Sequence, residues 1–392
     1  MVIMPCRYRA LLDVAAGYKK TGISLVGYNG KGLYPAGASD DAGIYYFIPN
    51  IAHAFNLSIA RAIDVFFVGL MMITLIAGII GSLLFFKRWS TRLIAVVGLV
   101  GIALVSLKVG DVYLASAYAA VGIIPPFLYF TRSKKINGWF VAFIFLAGLS
   151  IGIDHYIRSQ AGTAVLIFTA LSLLFYIKIS RKEKAILTIS LIVGMLMPMF
   201  YFHTLLQQRD AYFASNKSYA EQLLGGHPLW HSVYVGLGFL DNEYGLKYND
   251  DVAYNKVRSI SPGTRLVSPE YEQILKRETF KFIREHPRFV LYTLFAKLGI
   301  AFFFLLVFAN IGLLAAIRYP KGWPLELSFW GAISISALPG IIVIPIPPYL
   351  LGLIALATIY GIVSINHAVE NGAWRDIYAA LNRSGDKSKC AA

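Results

Sequence analysis

The 392-residue chain has only two cysteines, Cys6 and Cys390 near its opposite ends, so a disulfide framework and a thiolate metal site are both excluded. Charge is scarce too: Asp, Glu, Lys and Arg make up 15% of the residues, against roughly 25% in soluble domains. Acids are the scarcer sign, 21 against 36 bases. No cleavable signal peptide is expected, because Arg7, Arg9, Asp13, Lys19 and Lys20 interrupt the opening segment and no apolar core follows them there. There is no phosphate-binding Walker loop. Gly236 and Gly238 lack the strand–turn–helix setting of a dinucleotide fingerprint. The run from His227 to His231 contains Pro228 and lacks the Glu of an HExxH zinc site. No internal repeat stands out.

Apolar residues are plentiful. They make up 57% of the chain and fall in long blocks, the mark of a polytopic membrane protein. The net charge of +15 does not point to nucleic acid, since the cations flank apolar runs, where they set topology and meet lipid headgroups. An all-α polytopic fold with about nine transmembrane helices is expected. Its spans fall near 62–86, 93–107, 112–131, 138–153, 161–179, 185–204, 289–317, 326–344 and 349–366, with Pro125 and Pro126 interrupting the third. The chain then divides into an acidic loop with a short interfacial helix (1–61), six spans (62–204), a large polar loop (205–288), three spans (289–366) and a tail (367–392). Within the large loop, helices are expected over 216–224 and 269–286, the second capped by Ser268 with Pro269 at its first position.

Short loops at 87–92, 132–137, 178–184 and 318–321 are rich in Lys and Arg, so they and the tail are assigned to the cytoplasm. Residues 1–61 and 205–288 then face outward from the cytoplasmic membrane. The first of these segments carries six Lys and Arg with no span before it. A further span ahead of residue 1 accounts for that, and unaided translocation of the tail is the alternative.

The outward segments hold the candidate chemistry. Asp40 and Asp41 adjoin a Gly-aromatic run before the first span, Asp111 sits in a tight turn between two spans, and Asp154 lies at another helix end. A carboxylate there can act as general base or orient a donor or metal ion. Taken singly, each is also a plausible solvated cap. Lys297 lies about 12 Å inside an apolar helix, where an ammonium is expensive and usually functional. It is a candidate ligand for a donor phosphate, with Arg158 and Arg288 as companions. His227, Trp230, His231 and Tyr234 suit an acceptor- or sugar-binding surface, because aromatic faces pack on sugar C–H groups. They suit an interfacial aromatic belt equally well.

An acidic motif before a span, a second acid in the next outward turn and a large late outward loop resemble the GT-C superfamily of membrane glycosyltransferases. That group includes protein mannosyltransferases and aminoarabinose transferases. The stretch Ile283-Arg284-Glu285-His286-Pro287-Arg288-Phe289 through Lys297 resembles the superfamily's re-entry into the membrane after the large loop. The resemblance implies an inverting transferase in the cytoplasmic membrane with its active site facing outward. Its donor would be a polyprenyl-phosphate sugar and its acceptor a glycan, glycolipid or protein. Asp40, Asp41 and Asp111 would be catalytic. No organic cofactor is implied, and there is room for a divalent metal. An oligosaccharide ligase or polymerase, relying on His227, His231, Arg258 and Arg265, is the rival enzyme, and a transporter or flippase of lipid-linked substrates is the rival outside enzymology.

Overall fold

The computed structural model describes residues 3–37, 41–132, 136–215, 229–266 and 268–373. Asp40, His227 and the expected helix over 216–224 lie outside the described residues. Among those described, fifteen α-helices and one two-stranded ribbon make up nearly all the regular structure.

The chain opens with a helix that the sequence pattern does not announce. In α1 (Pro5–Thr21) charged residues interrupt the apolar positions, yet Leu11, Val14 and Gly17 still form a buried stripe. Pro5 occupies the start, where its missing N–H costs nothing, and Gly22 closes the end at φ +69°, its N–H returning to the Tyr18 carbonyl. An antiparallel ribbon follows, β1 (Val26–Tyr28) against β2 (Leu33–Pro35), with Val26 opposite Pro35. Next comes α2 (Ala42–Ala54), a short helix where one was expected over 44–60. It stops at Phe55, and Asn56 at φ +51° turns the chain. The first long apolar helix, α3 (Ile59–Phe85), then begins under a Ser58 cap.

The apolar segments continue as α4 (Trp89–Val109), α5 (Leu114–Phe130), α6 (Gly138–Ile157) and α7 (Thr163–Leu171), the last extended to Tyr176 by a π-helical turn. Pro125 and Pro126 do not interrupt α5, which runs through both. The next helix, α8 (Arg181–Ser215), has 35 residues. At 1.5 Å per residue it is about 52 Å long and projects well past a ~30 Å hydrocarbon core. The polar segment expected from 205 therefore begins on this helix.

That segment builds a small body of its own. It comprises α9 (Leu229–Gly236) with a 3₁₀ turn to Phe239, α10 (Asp250–Ile260) and α11 (Pro269–Glu285). Tyr234, Val235, Leu246, Ala253, Val257, Tyr271 and Leu275 form its separate core. The Ser268 cap is as expected, its hydroxyl accepting from the Tyr271 N–H at 3.2 Å. One residue, His286, separates α11 from α12 (Pro287–Ala309). The expected span over 289–317 is broken at Asn310, φ +38°, into α12 and α13 (Ile311–Arg318). Last come α14 (Trp323–Ile342) and α15 (Pro347–Glu370).

Seven of these helices, α3, α4, α6, α8, α12, α14 and α15, are long and apolar enough to cross a membrane, and α5 and α7 are shorter apolar helices. Burial sorts them. The apolar window of α15 is 78% buried and that of α3 only 17%. With α5 buried along most of its length, α15 and α5 form the centre and the others surround them. Outer faces such as Ile73, Phe200 and Phe295 remain exposed, a surface compatible with lipid. Where α6 crosses α8, a Cβ on Gly148 would lie 2.2 Å from the Leu191 carbonyl, and one on Gly194 would lie 2.2 Å from that of Phe145. Only small residues permit so close a crossing, the usual route to tight packing between apolar helices.

Candidate active site

Four charged side chains from distant parts of the chain meet where α1, α2 and the ends of α5 and α6 come together. Asp41 stands at the start of α2 and Asp111 in the turn between α4 and α5. Arg7 projects from the first turn of α1, and Arg158 follows the end of α6. Arg7 Nε donates to Asp41 Oδ2 at 2.6 Å, and Arg7 Nη1 donates to Asp111 Oδ2 at 2.5 Å. Arg158 Nη1 lies 3.3 Å from Asp41 Oδ1. The guanidinium groups of Arg158 and Arg7 lie 4.8 and 5.8 Å from the centre of the Tyr113 ring. Both acids are about 5% exposed, so each ion pair works in a low dielectric.

Local backbone explains part of this convergence. Gly110 and Asp111 both have positive φ, +70° and +61°, which turns the chain sharply between α4 and α5. Asp is among the few side chains that tolerate this conformation, because it can bond its own backbone. Here Asp111 Oδ1 accepts from the Val112 N–H at 2.9 Å, which leaves Oδ2 for Arg7. Burial works against the Arg7 charge, but Asp41 and Asp111 outweigh it and hold the guanidinium above its already high ordinary pKa.

A cavity of about 300 Å³ adjoins the cluster. Tyr113, Ser116, Arg158, Gln160, Ser232 and Tyr349 supply its polar lining, and the end of α14 supplies an apolar wall. The Tyr113 hydroxyl donates to Tyr349 at 3.3 Å, and Tyr349 is hydrogen-bonded in turn to Tyr248 of the polar segment. The polar segment thus reaches the cavity through Leu229 and Ser232, and Tyr248 ties it to Tyr349 of the lining. A larger groove of about 480 Å³ runs between α1 and α2, past Leu12, Lys19, Asn50 and His53. It has no carboxylate in its lining, and Tyr45 on its wall lies within reach of the charges of Asp41 and Arg7.

The expected residues divide sharply. Asp41, Asp111 and Arg158 come together. Asp154 is buried on α6, and its carbonyl accepts from the Arg158 N–H at 2.9 Å. Lys297 is buried, but its ammonium is not offered to a ligand. It donates to the carbonyls of Gly236 at 2.7 Å, Val343 at 2.8 Å and Ile342 at 3.3 Å. An ammonium has three donors, so Lys297 braces the cavity's apolar wall against the polar segment, and the expected phosphate contact gives way to that role. Arg288 is exposed in the first turn of α12 and takes no part in the cluster.

The proposed sugar-binding group is engaged within the polar segment. Tyr234 is 6% exposed and belongs to that segment's core, so it offers no binding face. The N–H groups of Trp230 and His231 donate to Glu272 at 2.7 and 3.1 Å, and the Trp230 ring packs on Phe280. His231 bonds Tyr271 through Nδ1 at 2.6 Å and Asp250 through Nε2 at 3.1 Å. Sequence reasoning missed Arg7, Tyr113 and Tyr349 as members of the site. For Arg7 the usable signal was Pro5 and Gly22 bracketing a weak stripe.

Among the described residues, no group of three or more His, Cys, Asp or Glu comes together to hold a metal ion. No family model, curated protein or solved structure matches the chain significantly.

Proposed function

We propose that this chain is a membrane glycosyltransferase. It spans the cytoplasmic membrane nine times and moves a sugar from a polyprenyl-phosphate donor to a hydroxyl acceptor at the outer face. The observation that carries the reading is the meeting of Asp41 and Asp111 beside a cavity lined by phenols, hydroxyls, an amide and one arginine. Small-ligand pockets run from about 300 to 1,000 Å³, so this cavity suits one sugar ring and not an oligosaccharide. Arg158 lines the cavity and can bond a phosphate oxygen. The acceptor oxygen attacks the anomeric carbon as the bond from that carbon to the phosphate oxygen breaks. The lipid phosphate leaves with the bonding electrons and draws Arg158 from its longer, 3.3 Å contact with Asp41 Oδ1, the acceptor proton passes to the Asp41 oxygen so released, and configuration inverts.

Membranes containing the full chain, supplied with a labelled polyprenyl-phosphate hexose or pentose and a cell-envelope extract as acceptor, test this. Asp41→Asn should reduce transfer at least ~100-fold, the scale of a general base, while the protein still accumulates in the membrane. Undiminished transfer in Asp41→Asn would remove Asp41 from the mechanism. Transfer of whole chains from a diphosphate-linked oligosaccharide, with none of single sugars, would favour the ligase reading.

A further inference from the structure

The carboxylates of Asp41 and Asp111 bear directly on the divalent metal for which the resemblance leaves room. A divalent cation bridging two carboxylates does three things. It holds like charges together, keeps both groups ionised and fixes the oxygens that face the substrate. In this chain each of those tasks is already performed by Arg7. Its Nε and Nη1 each contact one carboxylate, at 2.6 and 2.5 Å. The remaining two oxygens are engaged as well. Asp41 Oδ1 faces Arg158 at 3.3 Å, and Asp111 Oδ1 accepts the Val112 N–H at 2.9 Å. Donors therefore meet all four carboxylate oxygens, and no pair of lone pairs is left converging on an open point. Among the described residues the two arginines balance the two acids, and the donor set does not suit a divalent metal.

We infer that Arg7 is the built-in bridging cation of this site and occupies the place between Asp41 and Asp111 that a divalent metal would take. The α1 helix is then part of the site and not a mere leader to the first long helix. It brings in a residue that bonds both acids, 70 positions apart in sequence, and lets them lie buried side by side. An arginine held this way cannot be stripped by a chelator, and it stays charged at any pH the protein meets. The inference concerns the carboxylate pair and does not depend on the transferase reading.

Manganese(II) is the probe, because the spectrum of the free aqueous ion is lost on binding. The full chain in lipid nanodiscs is titrated with Mn²⁺ and followed by electron paramagnetic resonance. Wild type and Asp111→Asn are expected to bind equally weakly. Arg7→Met, which empties the bridging position but keeps a helix-compatible side chain, is expected to gain one site at least tenfold tighter. That site should disappear in Arg7→Met with Asp111→Asn, and Mn²⁺ should raise the melting temperature of Arg7→Met alone. Arg7→Lys keeps a cation in place and should bind like wild type; it serves as the second variant should Arg7→Met fold poorly. Mn²⁺ binding by wild type or Arg7→Lys at a site lost in Asp111→Asn would overturn the inference, as would an Arg7→Met protein that binds no more tightly than wild type. Absence of sugar transfer by the wild type, with this metal pattern intact, would count against the transferase reading alone.

Discussion

Two buried ion clusters lie towards opposite ends of α14, and they are built on different plans. The junction of Arg7, Asp41, Asp111 and Arg158 adjoins a cavity walled by the end of that helix. At the other end, Lys321 just before α14 contacts Glu326 Oε1 at 2.8 Å, as an ion pair and not an aligned hydrogen bond. Lys321 also donates to the Ser364 hydroxyl at 2.6 Å and lies 4.1 Å from the centre of the Tyr360 ring, while the Tyr360 hydroxyl donates to Glu326 Oε2 at 2.9 Å. The second cluster joins residues five apart to one face of α15. Neither Lys321 nor Glu326 lines the cavity beside the first junction or the groove between α1 and α2. The first cluster joins four segments that nothing local would bring together. The difference separates a staple from a candidate site. Both clusters pay the desolvation cost of buried charge, but only the first keeps an arginine at the edge of a space that a ligand can enter.

Stability measurements can break this contrast. Glu326→Gln leaves the Lys321 ammonium buried without its counter-charge and should cost about 3–5 kcal/mol, the usual penalty for removing one partner of a buried pair. Replacing both, Lys321→Met with Glu326→Leu, should be neutral or stabilising in thermal melts, because apolar packing often replaces a buried ion pair at no loss. Sugar transfer should survive the double change. A double variant that melts normally but loses transfer would make the second cluster part of the function and erase the distinction.

Lys297 offers a smaller and more local test. Lys297→Met removes the donor from three carbonyls that brace the cavity wall, at a cost of about 1–3 kcal/mol for buried acceptors left without a partner. Faster hydrogen exchange should appear in the link between α14 and α15, with little change in the core of the polar segment. Unaltered exchange in that link would mean that the wall is held by something other than this ammonium.

The sequence made the membrane class plain, because apolar blocks of this length are rare outside membrane spans. It also supplied the α11 cap, where Ser268 and Pro269 act locally. It was a poorer guide where structure depends on contacts made at a distance. The α1 stripe is legible only once Leu11 is seen packing with Ile44 and Ile48 of α2 in one core. Lys297 invited a phosphate because an intramembrane ammonium demands a partner, and sequence alone did not reveal that the partners are backbone carbonyls. Asp41 and Asp111 were singled out because they adjoin outward helix ends, and the structure brings both onto Arg7. Their common counter-ion was missed, since nothing about Arg7 in isolation sets it apart from Arg9 or Lys19. Trp230, His231 and Tyr234 looked like a surface because aromatics in a polar loop usually are exposed. In this chain the loop is long enough to bury a core.

The smallest effect expected concerns pH, and it sharpens the reading of Lys321 as the strained member of the staple. Burial pulls the Lys321 ammonium below the ordinary lysine pKa, and the close Glu326 carboxylate opposes that only in part. Between the lowered folded value and the ordinary value near 10.4, the unfolded chain binds more protons than the folded one. Stability contributed by this group therefore rises with pH across that alkaline window. The melting temperature of wild type, measured relative to Lys321→Met with Glu326→Leu, should climb as pH is raised from neutral toward the lysine value, and then level off. A difference that falls across the same window would mean that the ion pair outweighs burial, and that Lys321 is stabilised in its charged form.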